Sequence, residues 1–372
     1  MADIQFTEEH EQLRAVVRKF LEDRSPEAAV RAQMVSERGY DPEVWKQLAQ
    51  ELGLVGLAIP EQYGGAGYGF VELAVALEEM GRALLCAPFF SSALLATHAI
   101  LLGGDDAARE ELLPAIAAGE SLAAVALFEP GGDWDLDSIA LEARSSDGGS
   151  RLSGRKTYVI DGHGADVLLV AARTESGLGL LRVAGDAPGL KSEPLPTLDL
   201  TRKLALLEFE DTPAVPLGDA GDATPLLRRV LDLAAAGLAA EQAGGAQRCL
   251  EMASEYAKER VQFGRPIGSF QAIKHRCADM LMQVEAAKSA AYSAAFSAAS
   301  GEDDLRATAA MAQAYASDAY FRAAADCIQI HGGVGFTWEH PAHLYFKRAK
   351  SSALLFGDAA YHRDRLATEL GL

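Results

Sequence analysis

The chain has 372 residues, with 34 basic and 53 acidic side chains and a formal net charge of −19. That length supports two or three domains or one large multilayered unit, and 49% hydrophobic with 23% charged residues is the usage of a folded globular protein and argues against disorder. A surface of this sign repels phosphate backbones and anionic headgroups, so no nucleic-acid partner is expected, and any phosphate-bearing ligand must meet a local cationic site.

From Phe6 to about Ala118 the pattern is helical. "TEEHEQLRAVVRKFLEDR" opens with Thr7 three residues before His10, has acids in its first turn and spaces apolar residues at i, i+3 and i+4. This start is charged and amphipathic, unlike a cleaved apolar leader, and no run of roughly 18 or more apolar residues follows. No membrane span is expected, and the reading is a cytoplasmic protein. The helices break at "AIPEQYGGAGYGF", where Pro60, Gly64, Gly65, Gly67 and Gly69 must form a loop.

Near residue 119 the texture changes to short β-prone runs, among them "LAAVALFE", "KTYVIDG", "DVLLVAART" and "LALLEFE". Such runs, with turn residues between them, predict a small antiparallel barrel or sandwich. From about Ala220 the helical period returns in long Ala-rich segments. The predicted fold class is α+β, with a helical domain over 1–118, a β domain over 119–217 and a helical bundle over 218–372. Cys86, Cys249, Cys277 and Cys327 are scattered, without a CxxC pair, and read as reduced, buried thiols. His340 and His343 flank Pro341 with no acid to complete a ligand set, so no metal is expected.

Two stretches carry chemistry. "ERVQFGRPIGSFQAIKHRCADM" (Glu259 to Met280) has a turn surrounded by Arg260, Arg265, Lys274, His275 and Arg276. It reads as a turn between two helical segments, a helix hairpin with a basic surface, or as an anion site in which a guanidinium fork meets a diphosphate. "QIHGGVGFT" (Gln329 to Thr337) follows a helical run ending near Ile328, and its glycines allow close backbone approach to a nucleotide or simply a tight turn. A third feature is an isolated acid, Glu241, inside "AAAGLAAEQAGGAQRCLE". A buried acid on such a face is unfavourable unless functional; otherwise it leans out to solvent or pairs with an arginine such as Arg248.

Together with "LGLVGLAIPEQYGGAGYG", and in this order, these stretches resemble the acyl-CoA dehydrogenase family over essentially the whole chain. The resemblance implies an N-terminal helical domain, a middle β domain, a C-terminal four-helix bundle and a non-covalent FAD partly held by a neighbouring subunit. It further implies an acyl-CoA substrate losing its α and β hydrogens, an electron-transferring flavoprotein as acceptor, and a homotetramer or dimer of dimers. Carried over, Arg260 and Phe263 would contact the FAD pyrophosphate and adenine with Gln271 close by, and Gln329, Gly332 and Gly333 would meet the FAD of the adjacent subunit. His331 would belong to the same loop. In the β domain Phe128 and Tyr158 stand where the family places flavin-edge residues, and Phe128 replaces a usual threonine and Tyr158 a usual tryptophan.

The family's usual proton-abstracting Glu is missing, because the matching run "AKSSALLFGDAAYH" puts Phe356 at its place. Asp358 is a candidate base that reads equally as a helix N-cap. Some relatives carry the base on the helix opening the C-terminal domain, where this chain has Ala234. Glu241 lies two turns further on the same face, which makes it the leading candidate, and the small residues around it are expected to leave room for flavin and thioester. Two rivals stay open: a non-catalytic partner subunit of a mixed tetramer, and a flavin monooxygenase on the same fold.

Overall fold

The computed structural model describes residues 6–131, 133–146, 149–218, 221–301 and 304–372. Helices α1 (Glu8–Arg24), α2 (Glu27–Val35), α3 (Pro42–Lys46), α4 (Phe70–Ala83), α5 (Thr97–Gly103) and α6 (Asp106–Ala117) come first. Strands β1 (Ala123–Ala126), β2 (Ala143–Ser146), β3 (Gly149–Ile160), β4 (Val167–Thr174), β5 (Gly177–Ala184), β6 (Leu190–Pro194) and β7 (Leu204–Pro216) follow. The chain then runs through α7 (Thr224–Glu259), the short hairpin β8 (Val261–Gln262) and β9 (Arg265–Pro266), α8 (Gln271–Ser300), α9 (Leu305–His331), α10 (Ala342–Ser352) and α11 (Ala359–Glu369). Thr7 starts α1 as expected: its hydroxyl accepts from His10 N and its own N–H donates to His10 Nδ1 at 3.0 Å, a capping box closed by histidine. No helix among the described residues is long and apolar enough to cross a membrane.

Contacts gather the chain into two units, one of Met1–Ala32, Phe70–Leu85 and Ala235–Leu372, the other of Gln33–Gly69 and Cys86–Ala234. The second unit holds a seven-stranded sheet in the order β1-β4-β5-β7-β3-β2, with β6 also paired to β7. Inward residues such as Leu152, Leu168, Val170, Leu181, Leu207 and Phe209 form its core. The expectation of a wholly antiparallel domain needs one correction, since β1 pairs with β4 in parallel, Ala123 opposite Val167. The physical reason is connectivity: β2 and β3 intervene between them, and so long a connection frees the pair from hairpin geometry.

The first unit is helical, and small residues set its closest crossing. A Cβ on Gly244 would fall 1.8 Å from the Glu78 carbonyl oxygen, and one on Gly81 would fall 1.9 Å from that of Glu241. Beside them a Cβ on Gly245 would meet the Tyr320 ring at 2.4 Å. The small residues around Glu241 therefore do not leave space for a ligand, as the sequence suggested, because the α4 backbone and Tyr320 fill that space. Buried charges tie α1 to the same helix. Arg14 donates to Glu78 at 2.6 Å, Arg18 donates twice to Glu79 at 2.7 and 2.8 Å, and the Tyr292 hydroxyl of α8 donates to Glu78 at 2.8 Å. Each buried carboxylate thus has partners, the condition under which burial of charge is tolerated.

Candidate active site

The C-terminal end of α7 carries the first motif. Past Glu259 the chain turns: Arg260 N donates to Tyr256 O and Ile267 N donates to Arg260 O, both at 2.8 Å, which closes the β8–β9 hairpin. Phe263 at its tip has φ +53 and is 92% exposed, its ring edge-on to Phe270 at 6.0 Å. The Arg265 guanidinium stacks over Phe270 at 4.2 Å. Arg260 and Gln271, the first residue of α8, are also exposed.

Helix α9 does not end near Ile328 but runs through Gln329 to His331. The residues after Ile328 keep helical hydrogen bonding until Gly332, whose φ of +64 releases the chain. A Cβ on Gly332 or Gly333 would meet nothing, whereas one on Gly335 would lie 2.8 Å from Ile328 O. Two of the three glycines thus face open space and the third serves packing. His331 is buried, with Nδ1 2.7 Å from Cys327 O, and its ring stacks on Tyr256 at 4.3 Å. That stack sets the glycine loop beside the last turn of α7, so the two motifs, far apart in sequence, are neighbours.

The β unit positions Phe128 and Tyr158 through a device the sequence reading missed. Lys156 is fully buried and donates to Leu127 O at 2.7 Å and to Glu129 Oε1 at 2.8 Å. Thr157 N donates to Phe128 O at 2.9 Å, while Glu129 also accepts from Leu141 N at 2.9 Å. Residues 127–129 are thus bonded to Lys156 and Thr157. Burial pushes the Lys156 ammonium down to about 8, against the attraction of Glu129. Tyr158, with φ +55 and 60% exposed, sits where the β3–β7 register shifts, a local kink that re-aims a side chain. Of the six non-glycine residues with positive φ among those described, three are Tyr158, Phe263 and Phe356, all at positions the motifs single out. Such conformations cost of order 1–3 kcal/mol and concentrate at functional sites.

At the expected base position Phe356 is buried with φ +60. Gly357 follows with φ +116, where a Cβ would lie 2.2 Å from the Tyr361 ring. Asp358 caps α11, its Oδ1 accepting from Tyr361 N at 2.9 Å. Glu241 is buried and bonded to Arg348 Nη1 at 3.0 Å, the two side chains 7% and 4% exposed. Arg248, the partner suggested by sequence, reaches Glu251 at 3.2 Å instead. Both candidate carboxylates are therefore engaged, one in a buried ion pair and one in a helix cap.

His362, one turn into α11, is wholly buried, and burial pushes its imidazole down from 6.5 to about 3. The unfolded chain takes up a proton below pH 6.5 that the folded chain refuses. The stability His362 contributes is thus complete above that pH and is lost as pH falls from 6.5 toward 3. Replacing His362 with Gln is expected to flatten the acid limb of the thermal midpoint plotted against pH. An acid limb as steep as the parent's would refute this.

Residues 7–120 match the model "Acyl-CoA dehydrogenase, N-terminal domain", and residues 224–371 match "Acyl-CoA dehydrogenase, C-terminal domain". Over 364 residues the chain is 37% identical to acyl-CoA dehydrogenase IpdE2 of Mycobacterium tuberculosis, covering 98% of each. Among solved structures it is similar to the Tcur3481-Tcur3483 steroid ACAD, at 35% identity and TM-score 0.90 over 98% of each chain. It is also similar to the ChsE4-ChsE5 complex from Mycobacterium tuberculosis, at 30% identity and TM-score 0.91 over 99% of each chain. With the helical, β and helical segments in the family's order, this chain belongs to the acyl-CoA dehydrogenase family, oxidoreductases that are in general FAD-dependent.

Proposed function

We propose that the chain is one subunit of an FAD-dependent acyl-CoA dehydrogenase that converts a CoA thioester to its trans-2-enoyl form. The proton-accepting carboxylate then comes from a second, dissimilar chain. One observation carries this reading: Phe356 occupies the base position while Glu241 and Asp358 already serve an ion pair and a cap. The two similar solved structures each carry the names of two chains, which supports a mixed dimer of dimers over a homotetramer.

The residues present fit FAD. Arg260 is exposed at the base of the hairpin and Phe263 at its tip, a cation for the diphosphate and a ring for the adenine, and Gln271 is exposed at the start of α8. Gln329 is exposed in the last turn of α9, and the open Cβ positions of Gly332 and Gly333 after it leave room for the cofactor of an adjacent subunit. Tyr158 and Phe128 would stand at the flavin edge, held there by the Lys156–Glu129 bridge. When bound, FAD supplies the hydride acceptor, and electrons then pass to an electron-transferring flavoprotein. Donors placed toward the thioester oxygen stabilise the charge that develops as the α-proton leaves. The steroid-directed relative makes a ring-bearing acyl-CoA the first substrate class to test.

The deciding experiment measures flavin absorbance, dye reduction with an acyl-CoA panel and oxygen uptake, for the chain alone and co-expressed with a second family chain. The expected result is dehydrogenation only in the mixed assembly, with flavin lost on Arg260→Met. Full turnover by the chain alone would overturn the second-chain base. A colourless mixed assembly would overturn the flavin assignment, and stoichiometric oxygen uptake would favour the monooxygenase.

A further inference from the structure

A bulky side chain is an outlier at positive φ, yet Tyr158 has φ +55 and is 60% exposed, so burial of its own ring does not offset the strain. Further along the same strand, Asp161 has φ +54. Left-handed residues this close together persist only where neighbouring contacts over-determine the backbone. Before Tyr158 those contacts are the bonds of Lys156 and Thr157 to Leu127, Phe128 and Glu129.

After Tyr158 a second anchor holds the strand. Val159 and Ile160 are buried and pair with Ala205 and Leu204, and Asp161 N donates to Lys203 O at 3.0 Å. The Asp161 carboxylate lies 2.7 Å from the hydroxyl of Ser91, which is wholly buried. Ser91 Oγ is also 3.1 Å from Pro88 O, and its single hydrogen goes to the shorter, charge-assisted bond. Ser91 belongs to a π-helical turn, Phe90–Ala96, in which Thr97 N donates back to Ser92 O. Such turns are rare and are frequent at functional sites. The adjacent Ser92 accepts from Ala123 N and donates to Ala123 O, both at 3.1 Å, which fastens the turn to the first residue of β1. The contacts before Tyr158 reach residues 127–129, directly after β1. Both anchors therefore share one support, a strand whose four residues are all buried.

We propose that Ser91 and Asp161 are positioning residues, and that the hydrogen bond between them holds Tyr158 in its strained, outward conformation at the flavin edge. This role rests on the assignment of Tyr158 to the flavin. The acceptor at the end of β3 and the hydroxyl of the π-helical turn have no part in proton or hydride transfer; they set where the tyrosine ring stands.

Two readouts keep the anchor and the flavin apart. In the flavin-free full chain, amide hydrogen exchange of residues 157–161 is followed by mass spectrometry. Ser91→Ala is expected to speed it at least about tenfold, the scale of one hydrogen bond to a charged group, while β4 exchanges as in the parent. Asp161→Asn keeps an acceptor for the Ser91 hydroxyl and tolerates the left-handed backbone, and is expected to match the parent. In the flavin-loaded mixed assembly, flavin fluorescence is compared for Ser91→Ala, Tyr158→Leu and the double variant. A tyrosine ring against a flavin quenches it, so Tyr158→Leu should raise the yield severalfold and Ser91→Ala part of the way. Beside Tyr158→Leu, Ser91→Ala should add nothing. Parent-like exchange in Ser91→Ala, exchange in Asp161→Asn as fast as in Ser91→Ala, an unchanged yield in Tyr158→Leu, or a Ser91→Ala change that persists in full beside Tyr158→Leu would each overturn the proposal. A colourless assembly would overturn the flavin assignment, and the exchange rates would still decide the anchor. If Ser91→Ala does not fold, Ser91→Cys, of similar size and with a weak donor, takes its place.

Discussion

Replacing Glu241 and Arg348 together by leucine and methionine is expected to leave the protein folded and the mixed assembly active, whereas either change alone is severely destabilising. The two groups are 3.0 Å apart and almost completely buried. Removing one partner takes the counter-charge at 3.0 Å from a buried group, at a cost of roughly 3–5 kcal/mol, while replacing both with apolar residues of similar volume is often neutral. The comparison separates structure from chemistry in a way that a single Glu241→Gln change cannot, because that change lowers stability, and with it activity, even if Glu241 never touches a proton. Denaturant unfolding reads the stability and dye reduction reads the chemistry. A double variant that folds, retains flavin and loses dehydrogenation by about three orders of magnitude, the scale of a lost general base, would make Glu241 the base and remove the need for a second chain.

Gly244→Ala is expected to lower the thermal midpoint on the order of 10 °C, although alanine is the better helix former by about 1 kcal/mol. The added methyl would sit 1.8 Å from Glu78 O, 2.7 Å from its carbonyl carbon and 3.1 Å from Arg82 N. These are backbone atoms of α4 and cannot rotate away, so the helices must separate. Separation strains the packing on which the Arg82–Glu251 and Arg14–Glu78 pairs rest. The overpacking penalty, above about 3 kcal/mol where the backbone must move, exceeds the propensity gain. Gly333→Ala is the control, since its Cβ would meet nothing. It should leave the midpoint unchanged, and any effect it has should appear in flavin content. A Gly244→Ala protein as stable as the parent would mean that the crossing is looser than the structure shows.

Much of the architecture was legible beforehand because it rests on short-range physics. The Thr7 cap, the loop after Pro60, the change to β-prone runs near residue 119 and the long helices beyond it all follow from periodicity and turn chemistry within a few residues. One reading misplaced a local signal, and the others lacked longer-range contacts. The end of α9 moved past Ile328 because Gly332 is the first residue able to leave the helix. The parallel β1–β4 pair arose from connectivity that periodicity does not encode. Lys156 lay in the quoted run "KTYVIDG", yet nothing local shows that its ammonium spans to Leu127 and Glu129. Arg348 left a usable signal, since α10 buries Ala342, Tyr345, Ala349 and Ser352 at helical spacing and Arg348 falls on the same stripe, where a charge demands a carboxylate.

By itself the sequence determined the order of the segments, the acidic surface that confines anions to local basic sites, the basic turn around Arg260 and Phe263, and the absence of a glutamate at position 356. Only the tertiary structure decided what Glu241 does. Periodicity can mark Glu241 and Arg348 as buried, but 107 residues separate them. Which buried acid meets which buried base depends on how the helices of this unit pack, and the close approaches in that packing, Gly81 against Glu241, Gly244 against Glu78 and Gly245 against Tyr320, join residues far apart in sequence.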